Sequence, residues 1–169
     1  MERYVLSALV QNNAGVLSRI AGLFSRRGYN IESLTVGETA DPLLSRMTIV
    51  VQGDETIIEQ IQKQLEKLVE VQAVKRLESE SSVRRELALI KVNTPDQTRA
   101  EVIQTAAIFR ARVVDVCAEC LTMEATGDHQ KIDSLIELLR PYGIRELART
   151  GVAALERGPV SISLLLNLI

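Results

Sequence analysis

The beginning of the chain alternates apolar and polar residues and then changes to a helical spacing. Apolar side chains at every second position over residues 4–10 predict a strand with one buried face, because successive strand side chains point to opposite sides. The spacing i, i+3, i+4, i+7 follows directly and predicts an amphipathic helix with these apolar residues: Leu17, Ile20, Ala21 and Phe24. Gly28 comes next, where a left-handed residue commonly ends a helix. We therefore predict a strand, a tight turn and a helix ending near Gly28.

The pattern then predicts two strands, a second helix and a further strand. Residues 30–37 and 45–52 are rich in β-forming side chains and are separated by a turn containing Asp41 and Pro42. A second apolar stripe at helical spacing consists of Ile57, Ile58, Ile61, Leu65 and Leu68. Residues 69–77 are rich in valine and predict a fourth strand. The predicted order of elements is βαββαβ.

The remainder of the chain repeats this order after a short polar segment. Residues 79–83 are small and polar, without apolar periodicity, and form the predicted linker. The elements predicted beyond it are strands at 87–92, 113–116 and 120–125, helices at 101–110 and 131–139, and a last strand at about 144–155 with a bulge at Gly151. Residues 24–31 align with residues 109–116, and Gly53-Asp54 aligns with Gly127-Asp128 at a shorter offset. The second half is therefore a divergent copy of the first.

Two copies of this unit predict an α+β protein with two ferredoxin-like βαββαβ sandwiches in tandem. The predicted domains are residues 1–78 and 84–157, joined by the linker 79–83 and followed by an apolar tail, residues 158–169. Each sandwich places both helices on one face of its sheet, so the other, partly apolar face needs a cover. The simplest way to bury this exposed sheet face is for two copies of the chain to pair, so we expect a homodimer.

The composition excludes several classes of function but says little about the fold. The 169 residues are 46% hydrophobic and 25% charged, with a formal net charge of -2. So small a net charge produces no extended positive electrostatic field that would bind nucleic acid or an anionic membrane. An aromatic content of 3% cannot supply the stacking platforms of RNA-binding sheets. The start resembles no signal peptide, and the apolar residues 159–169 are too few to span a bilayer. We expect a cytoplasmic protein without nucleic-acid or membrane partners.

Candidates for catalysis are few. The single histidine, His129, lies in a predicted turn, where we expect a solvated side chain. Cys117 and Cys120 have the C-x-x-C spacing of redox and zinc sites, but they lie in a predicted hairpin and lack two further soft ligands. We expect packed thiols in a reducing compartment, with thiol oxidoreductase chemistry as the alternative. The carboxylates are scattered and there is no phosphate loop, so we expect no catalytic residues and no metal site.

The turn before the first helix is the strongest candidate for binding. The free amides of a helix's first turn attract an anion, and Gly15 lets a ligand approach the backbone. Asn12 and Asn30 offer amide donors and acceptors to an amino acid. In this topology the two asparagines share a pocket only if two chains pair. The alternative is structural: Asn12 caps the helix and Gly15 turns the chain.

Several runs closely resemble the small regulatory subunit of acetolactate synthase, also called acetohydroxyacid synthase. They are NNAGVLSRIAGLFSRRGYNIESLTV at 12–36, LSRMTIV at 44–50, RELALIKV at 85–92 and LLRPYGI at 138–144. The resemblance implies an N-terminal amino-acid-sensing ACT domain followed by a second ferredoxin-like domain. It also implies a partner, a larger catalytic subunit that carries thiamin diphosphate, Mg²⁺ and usually FAD. The small chain would activate that enzyme and confer feedback inhibition by valine in branched-chain amino acid biosynthesis, with no catalysis of its own.

The resemblance also assigns an effector site residue by residue. The family's pocket falls on Asn12, Ala14, Gly15 and Val16 of one subunit and on Asn30 and Ile31 of its mate. One methylene changes affinity by only about 1 to 3 kcal/mol, so we expect some response to leucine and isoleucine. The alternative is a stand-alone ACT-type amino-acid sensor of another enzyme or of transcription.

Overall fold

The structure is a computed structural model that describes residues 2–163. Its elements in chain order are β1 (Glu2–Gln11), α1 (Val16–Arg27), β2 (Ile31–Glu38), β3 (Leu44–Gly53), α2 (Glu55–Leu65), β4 (Val71–Leu77), β5 (Ser82–Asn93), α3 (Asp96–Ile108), β6 (Arg112–Val116), β7 (Cys120–Gly127), α4 (His129–Leu139), a short 3₁₀ turn (Arg140–Tyr142), β8 (Ile144–Arg149) and β9 (Ala153–Glu156). The described residues divide into two units: residues 2–84 with 152–163, and residues 85–151.

The first unit contains an antiparallel sheet in the order β2-β3-β1-β4. β1 is central, and its residues 4–10 are buried on both faces of the sheet. Side chains from alternate positions of β1 and β3 pack with α1 and α2 in one core, whose largest members include Leu6, Ile20, Phe24, Ile49 and Ile61. The predicted βαββαβ order of the first copy is confirmed.

The ends of the first two helices follow from local chemistry. Gly28 adopts φ 69°, and Tyr29 N donates to Phe24 O at 3.0 Å, which satisfies a carbonyl of the last turn of α1. The prediction that α1 ends at Gly28 is confirmed. At the start of α2 the Asp54 side chain accepts a hydrogen bond from Ile57 N at 2.9 Å.

The second unit repeats the arrangement. Its sheet has the order β6-β7-β5-β8. α3 and α4 pack on one face, over a core that includes Ile90, Val102, Leu121, Met123 and Leu135. The Asp128 side chain caps α4 by accepting from Lys131 N at 2.8 Å, as Asp54 caps α2. Two ferredoxin-like α+β sandwiches in tandem are therefore confirmed.

The C-terminal segment, residues 152–163, folds with the first unit. Val152 and Ala154 pack with Val5, Val50 and Leu77, on the face of the first sheet opposite its helices. On the same face a separate cluster contains Leu9, Ala73 and Ile162. From the sequence we predict that one strand continues to residue 155 within the second sandwich and that a second copy of the chain covers this face. Instead β8 ends at Arg149, and the chain's own later residues cover part of the face.

The return of the segment has a physical reason. Gly151, predicted as a bulge, adopts φ 83°, a left-handed conformation that turns the chain after β8. Val5 and Leu9 present apolar side chains on the helix-free face, and burying them removes apolar surface from water. The helices of the described part of the chain include none long and apolar enough to cross a membrane.

Candidate functional site

The loop between β1 and α1 leaves the first turn of the helix without a side-chain cap. Within the described residues no side chain accepts a hydrogen bond from the first turn of α1, and that turn contains no acidic residue. Gly15 precedes the helix with φ 87°, and no atom lies within 4 Å of the position that a Cβ would take. Val16 N donates to Asn13 O at the long distance of 3.4 Å, and the next two amides, of Leu17 and Ser18, are available to an anion, assisted by the positive end of the helix dipole.

Asn12 does not cap this helix. Its side-chain Nδ2 donates to Pro42 O at 2.9 Å and to Glu38 Oε2 at 3.2 Å, and its backbone N donates to Leu43 O at 2.8 Å. The alternative in which Asn12 is only a helix cap is therefore wrong, because its amide is bonded to the hairpin between β2 and β3. Gly15 does turn the chain. Asn12, Ala14 and Gly15 are exposed, whereas Val16 is buried in the core.

Asn30 and Ile31 lie at the other end of the sheet. Ile31 pairs with Val51, which pairs with Tyr4 at the start of β1. Glu38, at the far end of β2, lies beside the Asn12 loop. A strand of this length spans about 25 Å at its rise of about 3.3 Å per residue. One copy of the chain therefore brings Asn12, Ala14, Gly15 and Val16 together but leaves Asn30 and Ile31 apart from them.

The strand that joins these two ends is an edge strand. β2 pairs on one side with β3 and is the terminal strand of its sheet. Its second half is exposed, including Val36 at 44% exposure. Arg3 pairs with Glu32 at 2.6 Å near the start of the strand, where the register with β3 shifts between Ile31 and Ser33. An edge of this kind offers backbone hydrogen-bonding groups to another strand.

The cysteine prediction requires a correction. Cys117 and Cys120 are joined by a disulfide, with Cα atoms 5.1 Å apart, so the expectation of free thiols is wrong. Their position in a hairpin between β6 and β7 is confirmed. The turn is closed by Cys117 N donating to Cys120 O at 2.8 Å, which brings the two side chains together. Within residues 2–163 no group of three or more histidine, cysteine, aspartate or glutamate side chains is placed to hold a metal ion.

The expectation for His129 is also wrong. It is the first residue of α4, and its side chain is 33% exposed within a charged cluster. Its Nε2 lies 2.9 Å from Asp133 Oδ2, and its Nδ1 lies 3.4 Å from Glu86 Oε1. Arg149 contacts the same two carboxylates, and Glu86 is almost fully buried. This cluster has no signal in the sequence, because its members come from β5, α4 and β8 and meet only in the folded unit.

Comparisons with known proteins agree with this architecture. Residues 6–73 match the family model of the small-subunit-like ACT domain of acetohydroxyacid synthase, and residues 85–158 match the model named small subunit of acetolactate synthase. The fold and these two matches together define a protein with an ACT-type domain followed by a second α+β domain.

Individual relatives are similar over almost the whole chain. The acetolactate synthase small subunit of Mycobacterium leprae is 54% identical over 159 residues, which are 94% of each chain. The probable acetolactate synthase small subunit of Methanothermobacter thermautotrophicus is 52% identical over 158 residues, 93% of this chain and 94% of the relative. The crystal structure of the Thermotoga maritima small subunit superposes with a TM-score of 0.87 at 44% identity, covering 95% of this chain and all of that one. The chain belongs to the acetolactate synthase small-subunit family.

Proposed function

We propose that this chain is the regulatory subunit of acetolactate synthase, which activates the separate catalytic large subunit and makes it sensitive to feedback inhibition by valine. Family membership supports the role, and the uncapped start of α1 beside Gly15 is the observation that supports ligand binding. The chain itself takes no part in the chemistry. Thiamin diphosphate, Mg²⁺ and FAD are expected on the large subunit, in the cytoplasm.

Pairing of two β2 edge strands would complete the effector pocket. In an antiparallel pair related by a two-fold axis, the start of one β2 lies opposite the end of the other. Glu38 ends β2 and accepts a hydrogen bond from Asn12. Asn30 and Ile31 of the partner subunit would therefore lie beside the Asn12 loop, which is the arrangement that the homodimer requires. The free edge and exposed second half of β2 support this pairing.

Valine fits the chemistry of such a pocket. Its carboxylate would accept hydrogen bonds from the free amides around Gly15, and its ammonium would contact the side-chain oxygens of the asparagines and Glu38. The isopropyl group would pack on Ile31 of the partner subunit. Burying that group stabilises the complex by about 1.5 to 3 kcal/mol, and charge-assisted hydrogen bonds add a comparable amount. The sum of about 3 to 6 kcal/mol corresponds to a dissociation constant between tens of micromolar and several millimolar.

Inhibition requires that valine bind two states of the complex unequally. A ligand shifts an equilibrium only by the difference between its affinities for the two states. Because the pocket lies between subunits, a change in their relative position would alter the contacts of the ligand. That geometry allows valine binding to be transmitted to the large subunit.

Reconstitution tests the proposal. The chain is mixed with the large subunit from the same organism, and acetolactate formation from pyruvate is measured with and without valine. We expect a higher rate on adding the chain and a loss of that rate on adding valine. A chain that binds valine without changing the rate would instead be a stand-alone sensor. A double variant, Cys117→Ser with Cys120→Ser, should behave like the wild type, whereas a thiol oxidoreductase would lose its activity.

A further inference from the structure

The helix-free face of the first sheet contains a pocket that shares Glu38 with the proposed effector site but none of its other residues. Its volume is about 800 Å³. The strands β1, β2 and β3 form its floor through Leu9, Thr35 and Thr48, and the C-terminal segment forms a wall through Ala154 and Leu155. Pockets of 300 to 1,000 Å³ are the usual size of small-molecule sites.

Arg46 is the cationic residue among the side chains that line this pocket. Its Nη1 donates to the fully buried Ser7 Oγ at 2.7 Å. Among the described residues no carboxylate lies within ion-pairing distance of its guanidinium. Burial lowers the pKa of Arg46 below the ordinary arginine value, and no neighbouring anion compensates. A half-buried cation without a counter-ion is costly, because charge loses solvation that only an anion or further hydrogen bonds restore.

The nearby acidic residues are already engaged. Glu38 accepts from Asn12, and the Asp41 side chain accepts from Leu43 N at 2.9 Å. Glu156 lines a smaller pocket of about 230 Å³ together with Arg46; its Oε1 pairs with Lys75 Nζ at 2.7 Å, while its Oε2 is buried without a hydrogen-bond partner among the described residues. Acids in the lining repel ligands with several negative charges, while one arginine suits a single carboxylate.

We infer that this pocket binds a small aliphatic monocarboxylate, with its carboxylate on the Arg46 guanidinium and its chain between Leu9, Leu44 and Leu155. The site lies on the opposite face of the sheet from the helices and is formed within one copy of the chain. Its ligand carboxylate would lie on Arg46, which is not part of the valine pocket, although Glu38 and β2 belong to both sites.

Titration calorimetry with butyrate, hexanoate and octanoate tests the inference on the full chain. Because each buried methylene adds about 0.8 kcal/mol, affinity should rise about three- to fourfold for each added methylene. Hexanamide, succinate and inorganic phosphate should bind at least tenfold more weakly than hexanoate. Absence of hexanoate binding, or equal affinity for hexanamide, would overturn the inference.

Two variants locate the site. Arg46→Met should weaken hexanoate binding at least tenfold, and Arg46→Lys should retain part of it. Because Arg46 contacts Ser7 and its loss could disturb folding, a second variant uses an exposed residue: Leu155→Asp, at 57% exposure, should weaken binding about tenfold through repulsion of the carboxylate. The matched control Val69→Asp, also exposed in this unit and outside the pocket lining, should bind as the wild type does. Unchanged affinity in both Arg46→Met and Leu155→Asp would exclude the pocket.

The test is independent of the proposed regulatory role. Gly15→Asp alters the proposed valine pocket and should leave hexanoate affinity unchanged. Loss of valine sensitivity with retained hexanoate binding would support both sites. Loss of hexanoate binding in Gly15→Asp would show that the carboxylate occupies the helix start instead.

Discussion

At the scale of single residues, the proposed ligand binding depends most directly on Gly15. Its φ of 87° belongs to the left-handed region that favours glycine, and the space around it is open. A Cβ at this position would therefore meet no atom within 4 Å other than those of Gly15 and its chain neighbours, but the side chain would project into the volume that the proposed ligand carboxylate would occupy.

We expect Gly15→Asp to abolish inhibition by valine while the reconstituted enzyme keeps most of its activation. The added carboxylate would sit at the first-turn amides and repel the carboxylate of valine. Gly15→Asn is the matched control, because it has nearly the same size and backbone strain but no charge, and it should keep part of the response. The measurement is the valine concentration that halves the rate. Equal sensitivity of Gly15→Asp and the wild type would exclude this loop as the site.

Tyr4 makes a second residue-level prediction, concerning pH. Its hydroxyl donates to Glu2 Oε2 at 2.9 Å, and this hydrogen bond, with burial and the charge of Glu2, raises the pKa of Tyr4 to about 12 from its ordinary value of 10.0. Between these values the folded state keeps a proton that the unfolded state has lost. The free energy of unfolding should therefore fall as pH rises from about 10 to about 12, and the contribution is fully present below pH 10.

Tyr4→Phe should remove this part of the pH dependence. Urea unfolding of both proteins at pH values from 9 to 11.5 measures it, and the two slopes against pH are compared. The ring would remain in the core, so the variant should fold. Parallel slopes would contradict the assignment of the titration to Tyr4.

At the scale of elements, periodicity predicted most of the strands and helices, because apolar side chains facing one core impose a period of two or about 3.6. It also located the end of α1 at Gly28. The disulfide and the His129 cluster were missed, since both depend on side chains meeting across a turn or between elements. Arg46 gave no signal either. Its position in the alternating pattern of β3 is compatible with a solvent-exposed sheet face. That face is partly enclosed only because the C-terminal segment packs on it.

The edge strand β2 is the element on which the proposed dimer depends. Val36 is 44% exposed on it, and a charge placed on an edge strand opposes the addition of another strand. Val36→Lys should therefore weaken dimerisation at least tenfold, and valine inhibition should be lost at concentrations where the variant is monomeric. Sedimentation velocity over a concentration series measures the association.

The control is Val69→Lys, which adds the same charge at an exposed position outside β2. It should dimerise as the wild type does. If Val36→Lys also dimerises normally and keeps its valine response, the effector pocket is not formed by pairing of β2 strands.

At the scale of the whole molecule, the C-terminal segment contributes to the stability of the first unit. Ile162 is 3% exposed and packs with Leu9 and Ala73. Ile162→Ala should lower the free energy of unfolding by about 2 to 4 kcal/mol, because it removes buried methylene groups and leaves a cavity. Val160→Ala, at 48% exposure in the same segment, should change it by less than about 0.5 kcal/mol. Denaturant unfolding of the two variants measures the difference, and equal stabilities would show that the segment does not hold this face in solution.

The first unit is built from two stretches of chain separated by the whole of the second. During translation the sheet of β1 to β4 leaves the ribosome well before the residues that cover it. At about 5 to 20 residues per second, the delay between residues 84 and 162 is roughly 4 to 16 s. During that interval Val5 and Leu9 are exposed to water on the nascent polypeptide. A chaperone that binds apolar surface can bind them until the C-terminal segment is synthesised.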